Sequence, residues 1–276
     1  MTAIVHAEGH FPGADGIELY WQSWRPARPR RVLVNVHGLG DHSGLYPTVA
    51  EWFPAQDTAV YAFDTRGNGR SAGRRGHLDR WQLVREDLRR FVQFVHGESG
   101  LVPVLLGHSL GGLMVLDYAL AFPGTIRGVA AAAPVLGSIG TPAPLLWLAR
   151  ILSGIWPTLT LETGLDLSGL ARDPAVVRAV LDDPLFHRRA STRLATEVLD
   201  TITSVHARAA TLAVPVLIVH GTADRMVSID GSRRLATGPA SSRVVLQEYD
   251  AFHALLVDEG YHQRLIDLST WMESLE

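Results

Sequence analysis

Short apolar runs alternate along this chain with longer segments in which apolar residues recur at helical spacing. The short runs are rich in valine, isoleucine and alanine, which is typical of buried β-strands. Strands that are apolar on both faces and separated by helices indicate a mostly parallel sheet covered by helices on both sides. The predicted strands are residues 16–24, 31–36, 58–63, 101–106, 126–133, 214–219 and 244–249, and the predicted helices are residues 80–96, 109–122 and 259–275.

Residues 134–213 interrupt this alternation, because an ordinary crossover between two parallel strands needs far fewer residues. We interpret this interval as an inserted, mostly helical cap between two core segments, residues 1–133 and 214–276. Near the start of the cap, residues 144–152 are apolar almost all round. Such a helix is either buried or faces another apolar surface.

The composition narrows the class of protein. The chain has 276 residues, of which 47% are hydrophobic, and a formal net charge of −3. These values exclude a disordered chain and give no electrostatic basis for binding nucleic acid. The absence of cysteine excludes disulfides, a thiol nucleophile and a cysteine-ligated zinc site. The mean hydropathy is slightly positive, at +0.11, and the excess is concentrated in residues 142–161.

The sequence carries no recognisable targeting segment. Its first residues have neither the basic start nor the apolar run of a signal peptide. The longest apolar stretch, residues 142–161, is interrupted by Arg150, Gly154 and Pro157, so we do not expect it to span a membrane. We therefore expect a cytoplasmic protein, and we leave open a peripheral contact with a membrane through the cap.

Residues 107–111 read Gly-His-Ser-Leu-Gly and lie between a predicted strand and a predicted helix. In a Gly-x-Ser-x-Gly turn at this place, the serine hydroxyl is exposed and the glycines leave room for neighbouring backbone. The helix that follows directs its N–H groups towards a developing oxyanion. Ser109 is therefore the candidate nucleophile, and the alternative is a serine that only caps the helix.

A serine hydroxyl needs a base and an orienting acid to act as a nucleophile, and in this arrangement they follow it in the order acid, then histidine. His253 is the candidate base, because it follows the last predicted strand in a loop. Asp224, on the turn after the strand at residues 214–219, is the candidate acid that fixes the imidazole tautomer. The weaker candidates for the acid are Asp230, Asp250 and Glu248.

Two backbone N–H groups are expected to bind the oxyanion. One belongs to Leu110, the residue after the nucleophile. The other comes from the loop after the strand at residues 31–36, where Leu39 is the candidate. An alternative interpretation of His37 and His42 in this loop is a metal-binding pair, but no adjacent carboxylate–histidine motif supports it. We expect neither a metal nor a cofactor.

Together these motifs resemble the monoacylglycerol lipase branch of the serine α/β-hydrolases over most of the chain. The resemblance implies the α/β-hydrolase fold, with an eight-stranded, mostly parallel sheet and a helical cap that meets membranes or micelles. It also implies that the substrate is a small lipid ester, a monoacylglycerol that is cleaved to glycerol and fatty acid. The residues that carry the resemblance are 37–43, Tyr46, 62–71, 107–112, 183–185, 214–221, Asp224 and His253.

Three residues are candidate substrate contacts. Members of this family often carry tyrosine three residues before the Asp-Pro-Leu at 183–185, where this chain has Val180, and that position contributes to the polar end of the pocket. Trp147 and Ile151 lie in the apolar part of the cap, whose residues either line an acyl pocket or form the core of the cap. We predict that residues 142–161 face lipid or an acyl chain near the entrance to Ser109.

Other functions fit the same motifs. Within the hydrolases, the alternatives are a short-chain carboxylesterase, a lysophospholipase and a proline-type peptidase. Epoxide hydrolases and dehalogenases are disfavoured, because their nucleophile in this turn is aspartate. In a different class, a non-catalytic receptor of the same fold would bind a hydrophobic ligand without turning it over. The sequence predicts neither the acyl chain length nor the oligomeric state.

Overall fold

The computed structural model describes residues 3–138, 143–164 and 166–275. Its strands are β1 (Val5–Pro12), β2 (Glu18–Arg25), β3 (Arg31–Val36), β4 (Thr58–Phe63), β5 (Val104–His108), β6 (Gly128–Ala132), β7 (Thr160–Glu162), β8 (Arg189–Ser191), β9 (Val216–Gly221) and β10 (Val244–Tyr249). Its helices are α1 (Pro47–Trp52), α2 (Trp81–Ser99), α3 (Leu110–Ala121), α4 (Ala143–Ile155), α5 (Pro174–Leu181), α6 (Thr192–Arg208), α7 (Asp230–Thr237) and α8 (Tyr261–Glu273).

Eight of these strands form one sheet in the spatial order β1-β2-β4-β3-β5-β6-β9-β10. The six strands from β4 to β10 in this order are parallel, whereas β1 pairs with β2 and β2 with β4 in antiparallel fashion. The predicted α/β-hydrolase fold, with its eight-stranded and mostly parallel sheet, is therefore confirmed. The strand β1, at the edge of the sheet, was not predicted.

Both faces of the central strands are buried, which explains their continuous apolar sequence. Successive residues of a strand point to opposite faces. Val34 and Leu105 consequently belong to the core layer that contains residues of α2 and α3. Leu33 and Leu106, their neighbours in sequence, belong to the layer that contains residues of α1 and α8.

Two proline residues shorten predicted strands. The apolar runs at residues 101–106 and 214–219 each contain one proline, and β5 and β9 begin only after Pro103 and Pro215. Proline has no N–H to donate to a sheet, so it is excluded from the interior of central strands. Both prolines still accept a hydrogen bond through their carbonyl oxygen, Pro103 from Arg127 and Pro215 from Val129.

Between β6 and β9 the chain forms α4, α5 and α6, together with a two-stranded antiparallel sheet of β7 and β8. The helix α6 packs against α4 on one side and against α3 of the core on the other. Glu197 of α6 also accepts a hydrogen bond of 2.7 Å from the backbone N–H of Trp81, at the start of α2. Of the helices in the described part of the chain, none combines the length and apolar character that crossing a bilayer requires.

Candidate active site

Four loops meet at the carboxyl edge of the parallel strands, where ligand sites of open α/β sheets form. They follow β3, β5, β9 and β10, and they carry Leu39, Ser109, Asp224 and His253, respectively. Ser109, Leu39 and His253 line the same cavity. The structure thus brings together the predicted nucleophile, base and acid and the predicted oxyanion donor Leu39 from four separate parts of the sequence.

Ser109 sits on a sharp turn between β5 and α3. Its backbone angles are φ 55° and ψ −116°, a conformation that residues other than glycine rarely adopt. The backbone passes very close to neighbouring backbone at this turn. A Cβ atom on Gly107 would overlap the carbonyl of Gly111, and one on Gly111 would overlap the carbonyl of Val36. The two glycines of the motif are therefore required by the close approach of backbone segments.

His253 and Asp224 form a buried hydrogen-bonded pair. The Nδ1 atom of His253 lies 2.7 Å from Oδ2 of Asp224, and both side chains are almost completely shielded from solvent. Burial by itself raises the pKa of Asp224, but hydrogen bonds from His220 and His253 outweigh it, so the pKa lies well below its ordinary value. An ionised Asp224 requires the proton on Nδ1 of His253, which leaves Nε2 free to accept a proton.

Burial also changes the titration of the histidine. Complete burial lowers the pKa of His253 below its ordinary value of 6.5, and the hydrogen bond from Nδ1 to Asp224, which raises it, offsets only part of this effect. The electrostatic interaction with the neighbouring His108 lowers it further. His253 is consequently neutral, and able to act as a base, throughout the neutral pH range.

We therefore expect kcat/KM for a neutral, soluble ester to rise with pH along a single acidic limb whose midpoint lies below 6.5. The sign follows because a general base must be unprotonated in the free enzyme, and a lowered pKa moves that condition to lower pH. A kcat/KM profile between pH 4 and 8 with p-nitrophenyl butyrate measures the midpoint. A midpoint at or above 6.5 contradicts the assignment of His253 as the buried base.

A series of polar contacts supports the loop that carries His253. Nε2 of His108 lies 3.1 Å from the carbonyl oxygen of His253, and Nδ1 of His108 lies 3.0 Å from the hydroxyl of Tyr46. Tyr46 in turn donates to Asp41 at 2.8 Å. Because a carbonyl oxygen only accepts, Nε2 of His108 carries a proton and holds the backbone of His253 in place.

The loop after β3 lies directly against the nucleophile. A Cβ atom on Gly38 would come within 3.3 Å of Cβ of Ser109, so the next residue, Leu39, is well placed to present its N–H to the same reaction centre. Leu110 is the first residue of α3, where N–H groups have no partner within the helix. These positions support Leu39 and Leu110 as a proposed oxyanion hole.

Residues between β6 and β9 hold this loop. The N–H of His187 donates to the carbonyl of Gly40 at 3.1 Å, and His42 contacts Asp183 at 3.1 Å.

The side chain of His37 is buried, and its Nε2 accepts a hydrogen bond of 2.9 Å from the backbone N–H of Thr65. Within residues 3–138, 143–164 and 166–275, no group of three or more potential ligands is arranged to hold a metal.

An apolar cavity of about 220 Å³ opens at Ser109. Its lining residues from the segment between β6 and β9 are Val135, Leu145, Ala149, Leu161, Thr163, Ala190, Ser191, Thr192, Leu194, Ala195 and Val198. A narrower, more polar space of about 50 Å³ adjoins Ser109 and His253, and Asp41, Thr163 and His187 are among the residues that line it. The site therefore has a large apolar compartment and a smaller, more polar compartment, and Ser109 lines both.

The three predicted substrate contacts fall in different places. Val180 lines the polar compartment beside Ser109, as expected of its position. Trp147 and Ile151 are not among the residues that line either compartment; their side chains are exposed, Trp147 by 66%. On α4 it is Leu145 and Ala149, four residues apart on one face, that line the apolar cavity. The residues of α4 that line the cavity therefore lie on a different face of the helix from Trp147 and Ile151.

The sheet, the strained serine and the buried histidine–aspartate pair define a serine hydrolase of the α/β-hydrolase fold. Residues 27–260 match the family described as serine aminopeptidase, S33, and the chain belongs to this family. A monoacylglycerol lipase of Mycolicibacterium smegmatis is 34% identical over 280 residues, covering 99% of both chains. The monoglyceride lipase of Rattus norvegicus is 30% identical and covers 95% of this chain and 89% of its own.

Solved structures agree with this assignment. The crystal structure of a monoacylglycerol lipase from Paleococcus ferrophilus superposes with a TM-score of 0.83 at 34% identity, covering 99% of this chain and 100% of the other. A soluble variant of monoglyceride lipase from Saccharomyces cerevisiae, in complex with a substrate analogue, has a TM-score of 0.87 at 21% identity over 97% and 94% of the chains, which shows the common fold. The predicted carboxylic-ester hydrolase of the monoacylglycerol lipase branch is thereby confirmed as a class.

Proposed function

We propose that this enzyme hydrolyses monoacylglycerols to glycerol and fatty acid through an acyl-enzyme on Ser109. The observation that carries the proposal is the pair of compartments at the serine: an apolar cavity of about 220 Å³ for an acyl chain, and a smaller, more polar space of about 50 Å³ for the alcohol. The names of the relatives from Mycolicibacterium smegmatis and Paleococcus ferrophilus support the same substrate.

In the proposed reaction, Ser109 Oγ attacks the ester carbonyl while Nε2 of His253 takes the hydroxyl proton. The N–H groups of Leu39 and Leu110 bind the oxyanion of the tetrahedral intermediate. The bond to the glycerol oxygen then breaks, and His253 returns its proton to that oxygen. Water attacks the resulting acyl-enzyme with the same proton transfers, which releases the fatty acid and restores Ser109.

We also propose that residues 134–213 act as a cap that forms the roof of the acyl site. The contacts of His187 with Gly40 and of Asp183 with His42 support this role, since they join the cap to the proposed oxyanion loop.

Exposed apolar side chains lie on α4 away from the cavity and continue to the residue that follows the helix. We term this surface the outer patch, and its residues are Trp147, Leu148, Ile151, Ile155 and Trp156. The exposed fractions of Ile155 and Trp156 are 78% and 57%. An exposed apolar patch of this kind supports contact with a lipid surface.

The outer patch provides a test of that contact. The double variant W147S/I155S is expected to bind phosphatidylcholine vesicles containing monoacylglycerol at least about tenfold more weakly, because burying one large apolar side chain contributes roughly 1.5–3 kcal/mol. Sedimentation with the vesicles measures the binding. Hydrolysis of soluble p-nitrophenyl butyrate should be unchanged, since neither side chain lines the cavity.

The control for the outer patch is Ile266→Ser, which removes an exposed apolar side chain from α8, outside residues 134–213. Vesicle binding of this control should equal that of the wild-type protein. Equal loss of binding in the control and the double variant, or no loss in either, would refute a lipid-facing role of the outer patch.

The substrate class is tested by comparing monoacylglycerols of increasing acyl length with p-nitrophenyl esters of the same acids. The proposal predicts that kcat/KM for the glycerol esters rises as the acyl chain fills the apolar cavity. Each buried methylene group should contribute roughly 0.8 kcal/mol of binding free energy to the transition state. Hydrolysis of short p-nitrophenyl esters without any activity on glycerol esters would instead identify a short-chain carboxylesterase.

A further inference from the structure

A second histidine contacts the acid of the catalytic pair. His220, the penultimate residue of β9, has no exposed surface. Its Nε2 lies 3.3 Å from Oδ2 of Asp224 and 3.3 Å from the carbonyl oxygen of Val227. Its Nδ1 lies 2.8 Å from the hydroxyl of Ser232 on α7, which is also buried. The mechanism described above assigns no role to this side chain.

The neighbours of His220 determine where its protons are. A carboxylate oxygen and a carbonyl oxygen can only accept, so Nε2, which faces both, must carry a proton. The Ser232 hydroxyl can donate to Nδ1, which satisfies the neutral ring without a second ring proton. His220 is thereby held as a donor aimed at the same carboxylate oxygen that accepts from His253.

Four hydrogen-bond donors face the carboxylate of Asp224. Its Oδ1 accepts from the backbone N–H groups of Met226 at 2.8 Å and Val227 at 3.0 Å. Its Oδ2 accepts from His253 at 2.7 Å and faces His220 at 3.3 Å. Two donors on each oxygen match the capacity of a carboxylate, so the group has no alternative orientation of equal energy.

We propose that His220 is a positioning residue that fixes the Asp224 carboxylate and shares its Oδ2 atom with His253. This inference rests on the proposed catalytic roles of Asp224 and His253. Sharing has a chemical consequence besides orientation. A second donor withdraws electron density from Oδ2, so that Asp224 stabilises the imidazolium form of His253 less than an unshared carboxylate does.

Other charged groups near His220 are accounted for within the fold. Glu248 of β10 lies opposite His220 in the sheet register and forms hydrogen bonds of 2.8 and 2.7 Å with Arg233 of α7. Asp224 contacts His220 directly and His253 through the same carboxylate oxygen, and both belong to the proposed site. A change at His220 therefore acts first on the Asp224–His253 pair.

The test compares two replacements of His220. Leucine removes the donor, whereas glutamine can place an amide N–H close to the position of Nε2. In His220→Leu we expect kcat for p-nitrophenyl butyrate to fall roughly ten- to a hundredfold, as for the loss of a hydrogen bond to a charged group, with KM unchanged. The midpoint of the acidic limb of kcat/KM should move to higher pH. In His220→Gln both quantities should stay near the wild-type values.

A spectroscopic readout separates this inference from the proposed function. The proton between Nδ1 of His253 and Oδ2 of Asp224 should give a low-field proton NMR signal that moves in His220→Leu and not in His220→Gln, whether or not the protein turns over an ester. Where the leucine variant does not fold, His220→Asn replaces it, because its shorter amide reaches the position of Nδ1 and not of Nε2. A folded donor-less variant with unaltered signal and unaltered acidic limb, or equal losses in the glutamine variant, would overturn the proposal.

Discussion

Replacement of Ser109 by alanine is expected to lower kcat for ester hydrolysis by roughly 10⁶-fold, the effect of losing the nucleophile from a serine–histidine–aspartate system. The loss is this large because the three groups act as one unit. Without the hydroxyl, His253 has no serine proton to accept and no nucleophile forms, so only substrate binding and the oxyanion donors remain. Steady-state hydrolysis of p-nitrophenyl butyrate and of a monoacylglycerol measures the loss.

The same variant should keep its fold. The backbone strain at φ 55° affects alanine as much as serine, so the temperature of unfolding should stay close to that of the wild-type protein. Ser242→Ala, at an exposed serine, is the matched control and should retain full activity. Ester hydrolysis by folded Ser109→Ala at more than a trace level would refute the assignment of the nucleophile.

Replacement of Asp224 by asparagine is expected to lower kcat by roughly 10⁴-fold. The amide oxygen of asparagine can replace Oδ1, which accepts from the N–H groups of Met226 and Val227. Its NH₂ group then occupies the position of Oδ2 and faces Nδ1 of His253. Because the NH₂ group donates, Nδ1 of His253 must now accept, and the ring proton moves to Nε2. The base can then no longer receive the proton of Ser109.

The matched control for this change is Asp230→Asn. Asp230 is the nearest of the weaker candidates for the acid in sequence, and its carboxylate is largely exposed on α7. Its replacement should leave kcat within about twofold of the wild-type value, as for an exposed ion pair. A large loss in Asp230→Asn together with a small loss in Asp224→Asn would reverse the assignment of the acid.

The parts of the fold that the sequence predicts well are set by local pattern. The bounds of β3, β4 and β10 coincide with the predicted runs, because each is a short segment rich in β-branched or aromatic residues and bounded by polar or turn-forming residues. The order of Ser109, Asp224 and His253 relative to the strands follows the same logic. Each lies just beyond a strand, and the carboxyl ends of parallel strands meet at one edge.

Features that depend on distant contacts are not visible in this way. The edge strand β1 is mostly exposed and lacks a continuous apolar run, and it forms because β2 supplies its hydrogen bonds. The outward orientation of Trp147 and Ile151 depends on which side of α4 packs against α6. His220 precedes Asp224 in sequence, so the expected order of acid and then histidine gives it no role; its contact with Asp224 arises only because the turn after β9 folds back on the strand.

The most direct test of the central claim uses a fluorophosphonate probe together with a monoacylglycerol substrate. We predict that one equivalent of probe abolishes glycerol release and that peptide mass spectrometry places the phosphonyl group on Ser109. The wild-type enzyme should show many turnovers before the probe is added. Attachment of the probe elsewhere, glycerol release by fully labelled protein, or stoichiometric binding of the lipid without turnover would contradict the account, and the last result would indicate a receptor of the same fold.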